Sequence, residues 1–176
     1  MSHSLRVLLM LLATLAVLPS AQADEHAPFA QPRAGLYTGG QPDAQQLEAL
    51  ATEGLRTVID LRKPDETRGY DEVALAARLG LHYVAPPIAD AAALTPANAA
   101  ALKRALAAGE GPVLLHCASG NRVGALLALM AADQEGMPPQ AALDLGKRAG
   151  LKSLEPVVRK QLGLEAAAMP APERAH

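Results

Sequence analysis

The chain has 176 residues, half of them hydrophobic and only 2% aromatic, with a formal net charge of -2 and one cysteine. Length and apolar share suit one domain with an aliphatic core. The slight acidic surplus excludes the basic signature of a nucleic-acid binder. One thiol excludes an internal disulfide framework, a multi-cysteine zinc site and a dithiol redox motif.

Met1–Arg6 is a weakly positive start, and Val7–Leu18 is an apolar run broken only by Thr14. Ala21 and Ala23 then put small residues at the two positions that define a cut after Ala23. This pattern reads as an export signal over 1–23, with the mature protein periplasmic or secreted. An apolar run of that length spans about 18 Å as a helix, short of a hydrocarbon core of about 30 Å. No stable membrane insertion is therefore expected once the signal is removed. A loose lead-in is expected over 24–35, a domain over 36–164 and a flexible alanine- and proline-rich tail over 165–176.

Leu36-Tyr37-Thr38 reads as a short edge strand ended by Gly39-Gly40. Asp43 caps a helix whose apolar face carries Leu47, Leu50 and Ala51, and Gly54 closes it. Leu55–Leu61 is β-branched and apolar at its centre, a buried strand. A polar loop follows to Tyr70, then a helix over 71–79 and a strand over 81–85 stopped by Pro86-Pro87. Thr95-Pro96 is a helix start, with a hydroxyl cap before a first-turn proline. That helix runs to about Ala108. Pro112–His116 is a nearly continuous apolar strand, suited to a parallel sheet covered on both faces. Three helices follow, near 123–134, 139–149 and 154–162. The order predicts an α/β fold: a small, parallel, four-stranded sheet flanked by helices and joined by right-handed crossovers.

In such folds ligands sit beyond the carboxyl ends of the strands. Three segments meet there: Asp60-Leu61-Arg62, Pro87–Asp90 and the loop after His116. That loop, His116-Cys117-Ala118-Ser119-Gly120-Asn121-Arg122, runs from a strand into a helix. Wrapped around a helix start, Ala118, Ser119, Gly120 and Asn121 turn backbone N–H groups inward as an anion cradle. Gly120 allows a backbone shape denied to other residues. Arg122 supplies a planar two-point clamp for an oxyanion. Cys117 lies at the floor, where a sulfur facing a bound electrophile acts as nucleophile. A lone buried cysteine is ordinarily structural; the surrounding glycine, arginine and helix start make this one a functional candidate. His116, one residue back in the strand, is expected to point away and hydrogen-bond behind the loop. Asp60 and Arg62 are expected to form a structural or rim pair of small worth. Lys147, Arg148 and Lys152 read as a solvated basic face.

From Leu36 to about Leu164 the chain resembles the phosphatase-like domain of beta-lactamase hydrolase-like proteins, which have the fold of dual-specificity and tyrosine phosphatases. The matching stretches are Tyr37–Pro42, Thr57–Arg62, Leu94-Thr95-Pro96 and His116–Arg122. The resemblance implies a Cys-dependent phosphatase-like fold and a phosphocysteine mechanism that needs no metal and no cofactor. Cys117 attacks phosphorus, while Arg122 and the loop N–H groups hold the oxygens. It also implies an acid for the leaving oxygen, on a loop upstream of the cysteine. Asp90 lies on such a loop and is the candidate, set against the plain alternative of a solvated loop carboxylate.

Two departures from the phosphatase pattern stand out. Four residues separate Cys117 from Arg122, where the signature has five, and Val123 follows the arginine in place of Ser or Thr. The shorter ring also resembles the loop of rhodaneses, which carry sulfur as a cysteine persulfide. Three readings therefore stand: a phosphatase acting on a small anionic or phosphorylated substrate, a sulfurtransferase charged on Cys117, and a non-catalytic anion- or partner-binding module. The length fits a monomer.

Overall fold

A computed structural model describes residues 29–165. The proposed signal over 1–23, the start of the lead-in and the tail beyond residue 165 lie outside the described residues. In chain order the elements are β1 (Ala30–Arg33), β2 (Leu36–Gly39), α1 (Ala44–Thr52), β3 (Thr57–Asp60), α2 (Glu72–Arg78), β4 (His82–Val84), a 3-10 turn (Ala91–Ala93), α3 (Pro96–Ala108), β5 (Val113–His116), α4 (Asn121–Glu135), α5 (Pro139–Arg148) and α6 (Glu155–Gln161). Among the described residues no helix is long and apolar enough to cross a membrane.

The sheet has five strands in the order β1-β2-β5-β3-β4, not the four expected. It is also mixed. β2, β5, β3 and β4 run parallel, but β1 pairs antiparallel with β2. The strand over Leu36–Gly39 is consequently interior, and β1, expected as loose lead-in, takes the edge. Pro32 and the polar residues around it hide this strand in the sequence, yet an edge is where a proline is tolerated. Phe29 just before it is buried, and Arg33 binds Glu135 at the end of α4 through two hydrogen bonds. Those contacts fix a segment that has little strand propensity of its own.

Helix ends follow local chemistry. Asp43 and Gln46 form a reciprocal capping box on α1, and Thr95 caps α3 ahead of Pro96. The core lies on both faces of the sheet. Leu47, Leu50, Leu55, Val58, Leu75 and Leu114 fill the face under α1 and α2. The larger cluster, including Ile59, Leu61, Leu115 and Leu126, fills the face under α3, α4 and α5. α4 is buried without interruption from Val123 to Ala131, so it shows no polar stripe. Gly124 and Gly146 let α4 and α5 touch along their backbones, since a Cβ on Gly124 would collide with Gly146 O and the Leu151 backbone.

Candidate active site

β5 sits centrally between β2 and β3, so its carboxyl end opens where the loops after all three strands converge. Cys117 follows directly. Its N–H donates to Gly39 O at 3.3 Å, and the residue is fully buried where the aliphatic core meets the loop. The chain then turns through Ala118 and Ser119, both exposed, into Gly120 at φ +82°. A side chain at Gly120 would need this left-handed backbone and would press on Gly39. Gly40 bridges to Ser119 across the loop, and a Cβ there would stand 3.1 Å from Ala118 O. Gly120 caps α4 with no side-chain hydrogen bond, so no capping side chain competes for the first-turn N–H groups. An uncapped helix start has the free N–H groups and the dipole that suit an anion.

Arg122 stands in the first turn of α4. Its Nη1 and Nη2 donate to Glu66 Oε1 and Oε2 at 2.6 Å each, and Nη1 also donates to Ile88 O at 3.0 Å. These bonds hold one end of the guanidinium and leave the Nε edge outside the Glu66 fork. The Glu66 carboxylate foremost, against the opposing pull of burial, and with the Cys117 sulfur assisting, holds the Arg122 proton above the usual arginine range. Reciprocally, the hydrogen bonds from Arg122 outweigh burial and bring Glu66 down to about 2. Glu66 Oε1 also accepts from Lys63 N–H, which sets the shape of its loop.

The remaining sequence candidates fall as follows. Asn121 turns its side chain away from the cradle: Oδ1 accepts from Lys152 N–H at 2.8 Å and Leu154 N–H at 3.3 Å, and Nδ2 donates to Ser153 Oγ at 2.7 Å. It fastens the Cys117 loop to the α5–α6 connection. Asp90 is exposed, and its Oδ1 accepts from Ala92 N–H at 2.8 Å as the cap of the 3-10 turn. It lies two residues past Ile88, whose carbonyl meets Arg122. Lys147 pairs with Glu155 at 3.0 Å, while Arg148 and Lys152 are exposed.

Of the two roles expected for Asp60 and Arg62, structural or rim, the pair takes the structural one, though buried and not exposed. Both side chains are fully buried, Arg62 Nε and Nη2 bind Asp60 at 2.9 and 3.0 Å, and Nη2 also binds Glu72. Tyr83 and Arg68 donate to Asp60 Oδ2 at 2.7 and 3.2 Å. Burial raises the Asp60 carboxyl, but the hydrogen bonds from Arg62 and the adjacent His116 more than reverse it, to about 2. His116 is wholly buried against the same group, with Nε2 2.9 Å from Glu72 Oε1 and Nδ1 3.9 Å from Asp60 Oδ1. Asp60, Glu72 and His116 bring donor atoms within 4.8 Å of one another, a spacing a metal ion can use. Arg62, bonded to both carboxylates, already supplies the cation there. The sequence reading missed Glu66 and Glu72. A helix-start arginine calls for a counterion, but nothing local in the sequence selects Glu66 from the other carboxylates. A glutamate in a first helical turn reads as a dipole partner, and only packing shows that it is buried.

A family model described as DSP-PTPase phosphatase fused to NAD+ kinase matches residues 8–150. The chain belongs to this family. Among curated relatives, a beta-lactamase hydrolase-like protein of Xylella fastidiosa is 38% identical over 98 residues, 53% of this chain and 22% of the relative. Its Agrobacterium fabrum namesake is 29% identical over 119 residues, 65% of this chain and 27% of the relative. The chain thus spans about a quarter of the length of these relatives. The phosphatase fold is shared with a Neisseria meningitidis protein (TM-score 0.63, 21% identity, 74% of this chain and 96% of that one). Pseudomonas aeruginosa TpbA, solved with pTyr, gives a TM-score of 0.52 at 24% identity over 72% of this chain and 77% of that one. The chain therefore has the dual-specificity and tyrosine phosphatase fold.

Proposed function

We propose that the protein is an exported, cysteine-dependent phosphatase-like hydrolase, acting as a monomer on a small phosphomonoester. The observation that carries this reading is Arg122, held at one end by Glu66 and Ile88 O beside a cysteine at the floor of an uncapped helix start. In the first step the Cys117 thiolate attacks phosphorus and an S–P bond forms as the P–O ester bond breaks. The leaving oxygen takes a proton from Asp90. In the second step water attacks phosphorus and gives a proton back to the Asp90 carboxylate, the S–P bond breaks, inorganic phosphate leaves and the thiolate is restored. The loop N–H groups and the free edge of Arg122 bear the charge on the oxygens throughout. The pTyr bound by the similarly folded TpbA supports trying aryl phosphates as substrates.

One observation favours a second reading. The ring from Cys117 to Arg122 is one residue shorter than the phosphatase signature, which suits a smaller group and a persulfide on Cys117. The deciding experiment assays the protein with para-nitrophenyl phosphate and, in parallel, with thiosulfate plus cyanide, using Cys117→Ala as control. Phosphate release lost in the variant supports the hydrolase. Thiocyanate formation lost in the variant, without phosphate release, replaces it by the sulfurtransferase. Activity in neither assay leaves an anion-binding module. Asp90→Asn is expected to slow phosphate release and leave sulfur transfer unchanged, because sulfite leaves thiosulfate without a proton.

A further inference from the structure

The face of the sheet opposite Cys117 carries a cluster that the proposed chemistry does not use. Asp60, Arg62, Glu72 and His116 all have fully buried side chains. Burying that many ionisable groups is expensive, and well-packed apolar side chains of similar volume are often at least as stable. Stability alone therefore gives no reason for the cluster. Its position gives one: His116 is the residue immediately before Cys117.

Alternation along β5 places Leu114 and His116 on the face under α1 and α2, and Leu115 on the other, whose core cluster also takes in Cys117. The backbone of this junction is held from both sides, Leu61 N–H to His116 O at 2.9 Å and Cys117 N–H to Gly39 O at 3.3 Å. The sheet fixes that peptide, so what remains adjustable at the junction is the His116 side chain that fills the space behind the loop. The ring lies against Glu72, whose Oε1 is 2.9 Å from Nε2, and Glu72 is itself bonded to Arg62, which is bonded to Asp60. The approach is close but is not a hydrogen bond: among the described residues neither His116 nitrogen has a hydrogen-bond partner, and neither has Glu72 Oε1. The segment from Asp60 to Glu72 thus reaches the Cys117 loop twice, through Glu66 at Arg122 and through Glu72 at His116.

We propose that Glu72 is a positioning residue for the nucleophile: by fixing the His116 ring from behind the sheet, it sets where the Cys117 sulfur stands beneath Arg122. The inference rests on Cys117 being the reactive group, as proposed above, but not on which group it transfers.

The test reads the sulfur directly. Alkylation of Cys117 by iodoacetamide in the full chain is expected to slow about tenfold in Glu72→Gln, because small displacements of a reacting atom carry rate losses of that order or larger. His116→Gln is expected to show the same loss, and the double variant no further loss, since both changes release one contact. With para-nitrophenyl phosphate, kcat is expected to fall to match while KM stays within about twofold. Alkylation of folded Glu72→Gln at the unmodified rate or faster overturns the proposal, as do losses that multiply in the double variant. If Glu72→Gln does not fold, Glu72→Asp, which keeps the carboxylate one methylene short, is expected to react at an intermediate rate. Alkylation of that variant at the unmodified rate is equally fatal. A protein that releases no phosphate yet shows the coupled alkylation loss refutes the proposed hydrolase and upholds this role for Glu72.

Discussion

Replacing Arg122 by lysine keeps a positive charge beside Cys117 but removes the planar fork that meets both oxygens of Glu66 at 2.6 Å. Lysine cannot hold a carboxylate with one edge and offer the other to an oxyanion. Arg122→Lys is expected to lower kcat/KM for para-nitrophenyl phosphate about a hundredfold, the scale of losing an oriented oxyanion donor, in a protein that still folds. Glu66→Gln tests the other half of the pair. It keeps the shape but not the charge, so the guanidinium is less firmly held and a smaller loss, about tenfold, is expected in the same assay. The pairing also explains why the loop between β3 and α2, polar and otherwise unremarked, carries a residue the site depends on.

Elements deliver these side chains only because their ends are chemically defined. The capping box of Asp43 and Gln46 starts α1 immediately after the Gly39–Gln41 segment that lines the Cys117 loop. Asp43→Ala is expected to lower unfolding stability by about 1 kcal/mol and to leave turnover intact, measured by denaturant unfolding beside the phosphatase assay. Gly124 does a different job, one turn into α4, where its missing side chain admits the backbone of Gly146 and Leu151. The same α5–α6 connection is tied to Asn121. Gly124→Ala is expected to push α5 outward, destabilising the fold by about 2 kcal/mol and loosening the Cys117 loop, seen as a lowered Tm and a lowered kcat together.

At the scale of the whole molecule, two carboxylates tie acid stability to the site. Glu66 drops from 4.5 to about 2 and Asp60 from 3.8 to about 2 on folding. Groups with a depressed folded value stabilise the protein above their unfolded value and lose that contribution as pH falls through the folded one. Stability is thus expected to be level above about pH 5 and to fall steeply between about pH 4.5 and 2, followed by thermal unfolding across that range. In Glu66→Gln part of that slope should vanish. Much of the architecture is legible in the residues themselves. Asp43, Thr95-Pro96 and the apolar runs at 55–61 and 112–116 mark their elements because capping and burial patterns are local. The Cys117–Arg122 loop is legible for the same reason, its glycine, arginine and helix start lying within a few residues. What local chemistry could not decide was anything joined across the chain. β1 is a strand because Phe29 is buried and Arg33 meets Glu135, more than a hundred residues away. The partners of Arg122 and His116 come from a loop and a helix some fifty residues earlier, and the burial of Asp60 and Arg62 is set by what folds over them. A charge's partner and its access to water are properties of the packed molecule, so only the tertiary structure decided that Asp60 and Arg62, expected as a structural or rim pair, are fully buried.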